Sequence, residues 1–229
     1  YHHFRAARLD DYRPAIDYLA SKGYRVFRIG DSSSTPLQHE SPLVVDLPHH
    51  PDYSDILDVV CLAQSRFAVT CSSGPECIAR ILGTPMVLVN GCSQPHQWMN
   101  ANDLLLFKSY RDTATGALIG YDEILARDLF LIATAEGFER AGVALEDNSP
   151  EQVLAAVMEL EARLDGEFEA DPELDDRFIA LSQSHLQRYR ASLPEEGPED
   201  QDRFETYAYA LPWTRYSQSF LRENPWFLA

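Results

Sequence analysis

A chain of 229 residues with 45% hydrophobic and 11% aromatic residues is long enough to bury one α/β core with an appendage, or two small domains. Its 19 Lys and Arg against 36 Asp and Glu give a formal charge of −17, which opposes a broad electrostatic grip on nucleic acid or an anionic bilayer. An anionic ligand therefore needs a local, preorganised site, and we expect no nucleic acid among the partners.

Helices and strands alternate along the first half of the chain. Asp10 and Asp11 precede apolar residues at helical spacing, and Gly23 stands where a helix ends. The elements predicted next are strands over 24–29 and 42–47, a helix over 53–65, a strand over 66–70, a helix over 76–82 closed by Gly83, a strand over 85–90 and an apolar run over 103–107. Nearly continuous apolar strands between helices predict an α/β fold, a Rossmann-like doubly wound parallel sheet.

The second half of the chain is more helical. A capping box at residues 149–152 opens a predicted helix through 164. Further helices are predicted over 121–126, 174–189 and 214–224, and residues 130–133 are an apolar run of ambiguous type. The acidic stretches 167–176 and 195–202 are predicted as solvated linkers. We therefore expect a Rossmann-like domain over 1–165, and acidic linkers with a helical extension over 166–229 that packs back on it.

The most informative segment is CSSGPECIARILGTPMVLVN, residues 71–90. A strand that ends in small residues and feeds a helix leaves the first backbone N–H groups of that helix free to bind an anion. Ser72 and Ser73 add hydroxyl donors, Gly74 allows close approach of a ligand, and Glu76 is placed to accept hydrogen bonds from a ribose diol. The alternative is an ordinary turn in which Ser73 caps the helix and Pro75 follows it.

A second group of candidate residues stands at the end of the predicted strand over 24–29. Arg28, Gly30 and Asp31 belong to the run FRIGD, in which the arginine lies within an apolar strand. A charge there is costly unless it is paired or reaches a ligand. Contact of Arg28 with a phosphate and a structural salt bridge to an aspartate are both open.

The loop NGCSQPHQW at residues 90–98 follows the next strand end. Ligands of open parallel sheets bind outside the carboxyl ends of the strands, where this loop is predicted to lie. Asn90, His96 and Trp98 are therefore candidates for contact with a sugar or an acceptor, and the indole is suited to stacking on an apolar sugar face.

Four segments resemble a bacterial family of glycosyltransferase-like proteins encoded among surface-polysaccharide genes. They are HHFR with LDDYRPAIDYLASKGYRVFRIGD, then SSGPECIARILGTPMVLVN, NSPEQVLAAVMELEARL and SFLRENPWFL. The resemblance implies the C-terminal lobe of a two-lobed, GT-B-type fold. Related sugar-transfer enzymes carry an HxR element, which implies that Arg5 pairs with the diphosphate as the leaving group departs and that His2 orients it or moves a proton. An exposed polar start of the chain is the alternative.

The SSG-x-E turn is also similar to the nucleotide-binding half of UDP-N-acetylglucosamine 2-epimerases, in which such residues hold the diphosphate and ribose. The two resemblances together imply transfer of a sugar from a nucleotide-diphosphate donor to a glycan or lipid-linked acceptor in surface-polysaccharide biosynthesis. An epimerase-like isomerase and a non-catalytic scaffold module of a polysaccharide assembly complex are the alternatives.

The sequence also predicts the cofactors, the cellular location and the further parts of the protein. The four cysteines lack CxxC spacing and a histidine partner set, so we expect free thiols, no metal and no cofactor beyond the donor. No run is apolar enough for a membrane span, which favours a cytoplasmic protein that meets the inner membrane only through partners. Because the chain begins at Tyr1 in what is predicted as a strand end, we expect a further N-terminal lobe.

Overall fold

The computed structural model describes residues 7–92, 99–192 and 208–229. The helices are α1 (Arg13–Ser21), α2 (Asp55–Gln64), α3 (Gly74–Leu82), α4 (Tyr121–Ala126), α5 (Ala135–Arg140), α6 (Pro150–Asp165), α7 (Pro172–Ser192) and α8 (Gln218–Glu223). The strands are β1 (Val26–Arg28), β2 (Val44–Asp46), β3 (Ala68–Thr70), β4 (Met86–Gly91), β5 (Leu104–Phe107), β6 (Ser109–Asp112) and β7 (Val143–Glu146). Short 3₁₀ turns lie at Leu9–Tyr12, Leu47–His49, Leu129–Leu131, Ala208–Ala210 and Pro225–Leu228.

The strands form mostly parallel sheets, which confirms the predicted α/β class and is compatible with a Rossmann-like fold. β3, β4 and β5 are parallel neighbours in that order, and β1 pairs with β2 in parallel. The ring of Tyr24, ahead of β1, meets the ring of Phe67, ahead of β3, with centroids 6.1 Å apart. The two parallel sheets therefore adjoin where β1 and β3 begin.

The core lies around β4 and β5, in which every residue is buried. Complete burial means that both faces of these strands are covered, as their unbroken apolar sequences predict. α3 and α6 both contact β4; α1 packs on α6 and α2 packs on α3. The helices thus form two pairs around the central strands.

The antiparallel pair of β6 and β7 was not predicted from the sequence. Tyr110 pairs with Leu145 and Asp112 with Val143. β6 carries the polar sequence SYRD and only Tyr110 in it is fully buried, so it lacks the apolar run that marks the central strands. Polar strands of this kind are specified by their partner rather than by their own composition.

The C-terminal residues extend the central sheet. The amide of Leu105 donates to the carbonyl of Arg215 at 2.9 Å, and the amide of Ser217 donates to the carbonyl of Leu105 at 2.8 Å. This strand-like contact explains why the helix predicted over 214–224 begins only at Gln218. Tyr216 behind it stacks on Phe227, with ring centroids 4.8 Å apart, so the aromatic C-terminus packs on the same core.

The acidic stretch predicted as a linker over 167–176 differs in the structure, because α7 already begins at Pro172. Asp175 in its first turn is buried and lies 3.3 Å from the guanidinium of Arg215. The second predicted linker, residues 195–202, lies outside the described residues. Composition alone does not show that an acidic residue meets a basic partner forty positions away.

Asp103 fixes the amino edge of the central sheet. Its carboxylate accepts hydrogen bonds from the amide of Met86, at the start of β4, at 3.1 Å and from the amide of Asn100 at 2.8 Å. The residue is 1% exposed, and burial raises the pKa of the Asp103 carboxyl to about 6. The folded protein therefore holds a proton here at pH values at which an unfolded aspartate has lost it.

We expect this group to make folding weaken with rising pH. A carboxyl whose pKa is higher in the folded state contributes its full stability below the unfolded pKa of 3.8 and loses it as pH rises through about 6. The advantage of the wild type over Asp103→Asn should shrink by about 2 kcal/mol between pH 4 and pH 7.5. Urea unfolding of both proteins across that range measures it, and a constant difference would contradict the assignment.

Candidate functional site

Three strand ends meet at the carboxyl edge of the central sheet. Cys71 follows β3, Asn90 lies near the end of β4 and Lys108 follows β5. Because these neighbouring strands are parallel, the residues after them lie along one edge. This is the edge at which open α/β sheets bind ligands.

The first turn of α3 opens at this edge without a side-chain cap. Ser73 occupies the N-cap position with extended backbone (φ −148°, ψ 176°), and no side chain within the described part of the chain donates or accepts a capping hydrogen bond there. Pro75 has no N–H, so the amide of Gly74 is the donor that stands at the exposed start of this turn. The alternative of a turn capped by the Ser73 hydroxyl is therefore not what the structure has.

Space is open in front of the Gly74 amide. Ser73 and Gly74 are exposed, and a Cβ placed on Gly74 would meet none of the described atoms within 4 Å. The backbone of Gly74 lies outside the left-handed region, so glycine is not needed for its conformation. What it provides is open space, because it has no side chain. An anion can approach the positive end of the α3 dipole directly.

The residues before the turn are more enclosed. Ser72 is buried, which leaves Ser73 as the more accessible of the two predicted hydroxyl donors. Burial raises the pKa of the Cys71 thiol, while its hydrogen bond with Ser73 and the nearby charge of Lys108 oppose that rise. Cys71 is therefore a neutral thiol that lines the floor of the turn.

Glu76 is fully buried, and its carboxylate accepts a hydrogen bond from the guanidinium of Arg80, one helical turn later. Arg80 is buried as well and its Nη2 lies 3.9 Å from the sulfur of Met99. Glu76, which was predicted to bind the ribose, is thus held in an ion pair inside the protein. The signal for this pairing was the i, i+4 spacing of Glu76 and Arg80 on α3.

Asn90 and Asn148, the residue ahead of the N-cap of α6, are joined by a pair of reciprocal hydrogen bonds, called the clasp below. The backbone amide of Asn90 donates to the side-chain oxygen of Asn148 at 2.6 Å, and the backbone amide of Asn148 donates to the side-chain oxygen of Asn90 at 2.7 Å. The side-chain nitrogen of Asn148 donates to the carbonyl of Phe107 at 2.7 Å. Asn90 has a positive φ of 52°, a conformation that asparagine tolerates.

Removing the clasp should cost stability. Asn148→Ala leaves the buried amide of Asn90 and the carbonyl of Phe107 without their partner, and each such group costs about 1–3 kcal/mol. We expect a loss of about 3 kcal/mol in the free energy of unfolding. Guanidinium unfolding measures it, with Asn102→Ala as control, because Asn102 is exposed. Equal small effects of the two substitutions would contradict this role.

Lys108 and Tyr12 also lie at this edge, and neither was predicted from the sequence as a site residue. Lys108 is a buried cation, its side chain only 4% exposed, and it forms an ion pair with Asp147, whose side chain is 30% exposed. Tyr12 approaches from the turn ahead of α1, and burial, helped by the charge of Asp147 and opposed by the amide of Asn90, raises the pKa of its hydroxyl. A lysine directly after the apolar run LLLF was the available signal.

Arg28 is engaged within the sheet of β1 and β2. Its Nη1 lies 2.7 Å from the carboxylate of Asp46 on the neighbouring strand, and both side chains are largely buried. Of the two alternatives left open for Arg28, the structure has the salt bridge.

The other two candidates at the end of β1 are held by their own turn. Asp31 is exposed, and hydrogen bonds from the hydroxyl of Ser33 and from its amide, the latter at 2.6 Å, keep the pKa of the Asp31 carboxyl below its usual value. Gly30 has a φ of 126° and its carbonyl accepts a hydrogen bond from Tyr53. No hydrogen bond or ion pair among the described residues joins Arg28, Gly30 or Asp31 to the turn at residues 71–76.

Four predicted site residues, His2, Arg5, His96 and Trp98, lie outside the described residues. Within residues 7–92, 99–192 and 208–229, no group of three or more His, Cys, Asp or Glu side chains is arranged to hold a metal ion. Over the same ranges, none of the helices combines the length and the apolar character that a bilayer crossing requires.

Comparison with known proteins gives no neighbour from which a role can be carried over. No protein-family model, no curated protein and no solved structure matches this chain. The likeness to glycosyltransferases and epimerases stays a prediction from the sequence, and the functional argument depends on the geometry of the carboxyl edge.

Proposed function

We propose that this chain is the donor-binding lobe of a GT-B-type glycosyltransferase and that it holds the diphosphate of a nucleotide sugar at the start of α3. The observation that carries the proposal is the uncapped, exposed first turn of α3 at the carboxyl edge of a parallel sheet. The amide of Gly74 and the positive end of a helix dipole supply what a diphosphate needs.

The charges around the turn support an anionic ligand. The protein as a whole carries −17, so an anion is held only where positive charge is concentrated. Lys108 supplies a buried cation close enough to act on the Cys71 thiol at the base of the turn. Its partner Asp147 is the more exposed of the pair, so in this proposal a phosphate competes with the Asp147 carboxylate for the ammonium group.

The chemistry of such a site is group transfer with a charged leaving group. An acceptor hydroxyl oxygen attacks the anomeric carbon, the bond from that carbon to the donor phosphate oxygen breaks, and the electron pair leaves with the nucleoside diphosphate. The hydroxyl proton passes to a general base. The amide of Gly74 and the positive end of the α3 dipole stabilise the charge that develops on the leaving diphosphate. In this proposal Arg5 and His2 assist that departure, as the HxR resemblance implies.

The buried residues of the turn position it rather than bind the donor. The ion pair of Glu76 with Arg80 fixes the first turn of α3 against the core, and the clasp of Asn90 with Asn148 fixes the end of β4. A rigid first turn keeps the Gly74 amide aimed at one point, so that the donor does not have to order it on binding.

Calorimetric titration with UDP, GDP, CDP and dTDP, and with their sugars, tests the proposal. We expect one nucleoside diphosphate to bind and its sugar conjugate to bind at least as tightly. If none of them binds to the protein, the proposal is wrong. Turnover of a nucleotide sugar without an acceptor, followed by NMR of the sugar, would favour the epimerase-like alternative instead.

A second candidate function is that of a non-catalytic scaffold module. It is favoured by apolar side chains that α2 and α3 leave in solvent, among them Ile56, Val60 and Ile81, the last 73% exposed. Helices that expose residues of this size often carry a partner. Absence of nucleotide binding together with self-association or capture of a polysaccharide assembly protein would support this alternative.

A further inference from the structure

A cavity of about 240 Å³ lies at the amino edge of the central sheet, opposite to the first turn of α3. Its walls come from the end of α6, the loop ahead of β5 and the strand-like C-terminal contact. The lining residues on which the argument depends are Ala101, Asp103, Leu160, Arg163, Phe168 and Arg215. Because Asp103 precedes β5 and holds the start of β4, this site and the proposed donor site stand at opposite ends of the same strands.

Two guanidinium groups face the cavity from different elements. Arg215 uses Nη1 for the carbonyls of Pro212 and Thr214 and Nε for Asp175, and no acceptor in the described part of the protein takes Nη2. Arg163 donates from Nε to Glu159, its Nη2 also lies 2.9 Å from that carboxylate, and its Nη1 has no acceptor in those residues. Each group therefore keeps donor capacity, and both are held in place by their other bonds.

The carboxylates near the cavity are already engaged. Glu159 accepts from the hydroxyl of Ser217 and from the amides of Gln218 and Ser219, at the start of α8. Asp103 uses both oxygens for backbone amides, and its raised pKa of about 6 reduces its negative charge in mildly acidic solution. Oδ2 of Asp175 forms an ion pair with Arg215, and its Oδ1 is buried without a hydrogen-bond partner among the described residues. Burial raises the pKa of this carboxyl, which reduces its repulsion of an anion held by Arg215.

One wall of the cavity is apolar and partly aromatic. Leu160 and Leu164 line it, and the ring of Phe168 lies under Arg163, with the guanidinium carbon 4.2 Å from the ring centroid. Arg222 of α8 also faces this ring, at 5.3 Å. Stacking of this kind orients a planar guanidinium and leaves its edge free for an oxyanion.

We propose that this cavity binds a small molecule that carries an oxyanion on a compact apolar group, with Arg215 and Arg163 holding the oxyanion. Guanidinium forks match the oxygens of a phosphate or a carboxylate, and the leucine and phenylalanine wall takes the apolar part. Sites for drug-sized ligands span about 300–1,000 Å³, so the cavity is too small for a nucleotide sugar. It is a second site, independent of the proposed donor site.

Calorimetry at constant ionic strength tests this with phenyl phosphate, benzoate and neutral benzyl alcohol as probes. We expect saturable binding of at least one of the two anions, the tighter one identifying the oxyanion, and binding about tenfold weaker in Arg215→Ala. Ala101→Trp should abolish it, because Ala101 is an exposed residue of the cavity lining and an indole there takes up the space of the ligand. Arg25→Ala, which removes the same charge from an exposed position elsewhere, should bind like the wild type.

Three outcomes would overturn the proposal. They are binding of neither anion, binding of benzyl alcohol as tight as that of the anions, and undiminished anion binding in Ala101→Trp. The donor site is tested separately, since loss of nucleotide binding in a variant of α3 leaves the probes of this cavity unaffected.

Discussion

Gly74→Phe should abolish binding of the nucleoside diphosphate while leaving the fold intact. The ring would stand in front of the amide of Gly74, where the diphosphate is proposed to lie. Since a Cβ at this position meets no described atom within 4 Å and the backbone is not left-handed, the substitution creates neither a clash nor strain. We expect an affinity loss of at least about 100-fold, because the amide contact and the access to the helix dipole are blocked together.

The control for this variant lies on the same helix. Leu82→Phe adds an aromatic ring at an exposed position in the last turn of α3, about 12 Å along the axis from Gly74. Calorimetry should show wild-type affinity for Leu82→Phe, and circular dichroism should show native helix content for both variants. Nucleotide binding that survives Gly74→Phe would place the diphosphate elsewhere and remove the main support for the donor site.

The α/β architecture is predictable from the sequence because its central strands are unbroken apolar runs. The run over 85–90 predicts β4, and the predicted helix over 76–82 corresponds to α3, with Gly83 closing it at a φ of 72°. The capping box at Ser149 is also confirmed, with both of its hydrogen bonds present. These features depend on neighbours within a few residues, so local chemistry determines them.

The contacts that the sequence does not show are those between distant segments. The clasp of Asn90 and Asn148 joins residues 58 positions apart, and the hydrogen bonds between Leu105 and the C-terminal strand-like contact span more than a hundred. No periodicity or turn signal reports such pairings, because they depend on how the elements pack. For the same reason Lys108 was not a candidate until the structure placed it beside Cys71 and Asp147.

Substitution of Glu76 distinguishes a structural role of this glutamate from a ribose-binding role. Because its ion pair is structural, we expect Glu76→Gln to destabilise the fold strongly. The neutral amide leaves the buried guanidinium of Arg80 without its carboxylate, and removal of one partner of a buried pair costs about 3–5 kcal/mol. Glu123→Gln is the matched control. It removes a carboxylate from an ion pair of the same spacing, with Arg127, on the exposed face of α4, and should cost about 0.5 kcal/mol or less.

The double variant Glu76→Leu with Arg80→Met tests whether pairing is the cause. If it is, this apolar pair should recover most of the stability that either single change loses, since replacing a whole buried ion pair by apolar side chains is often close to neutral. Urea unfolding gives the free energies for the cycle. A ribose-binding glutamate predicts the opposite pattern: unchanged stability in Glu76→Gln, with weaker binding of UDP but not of inorganic pyrophosphate, which lacks the ribose.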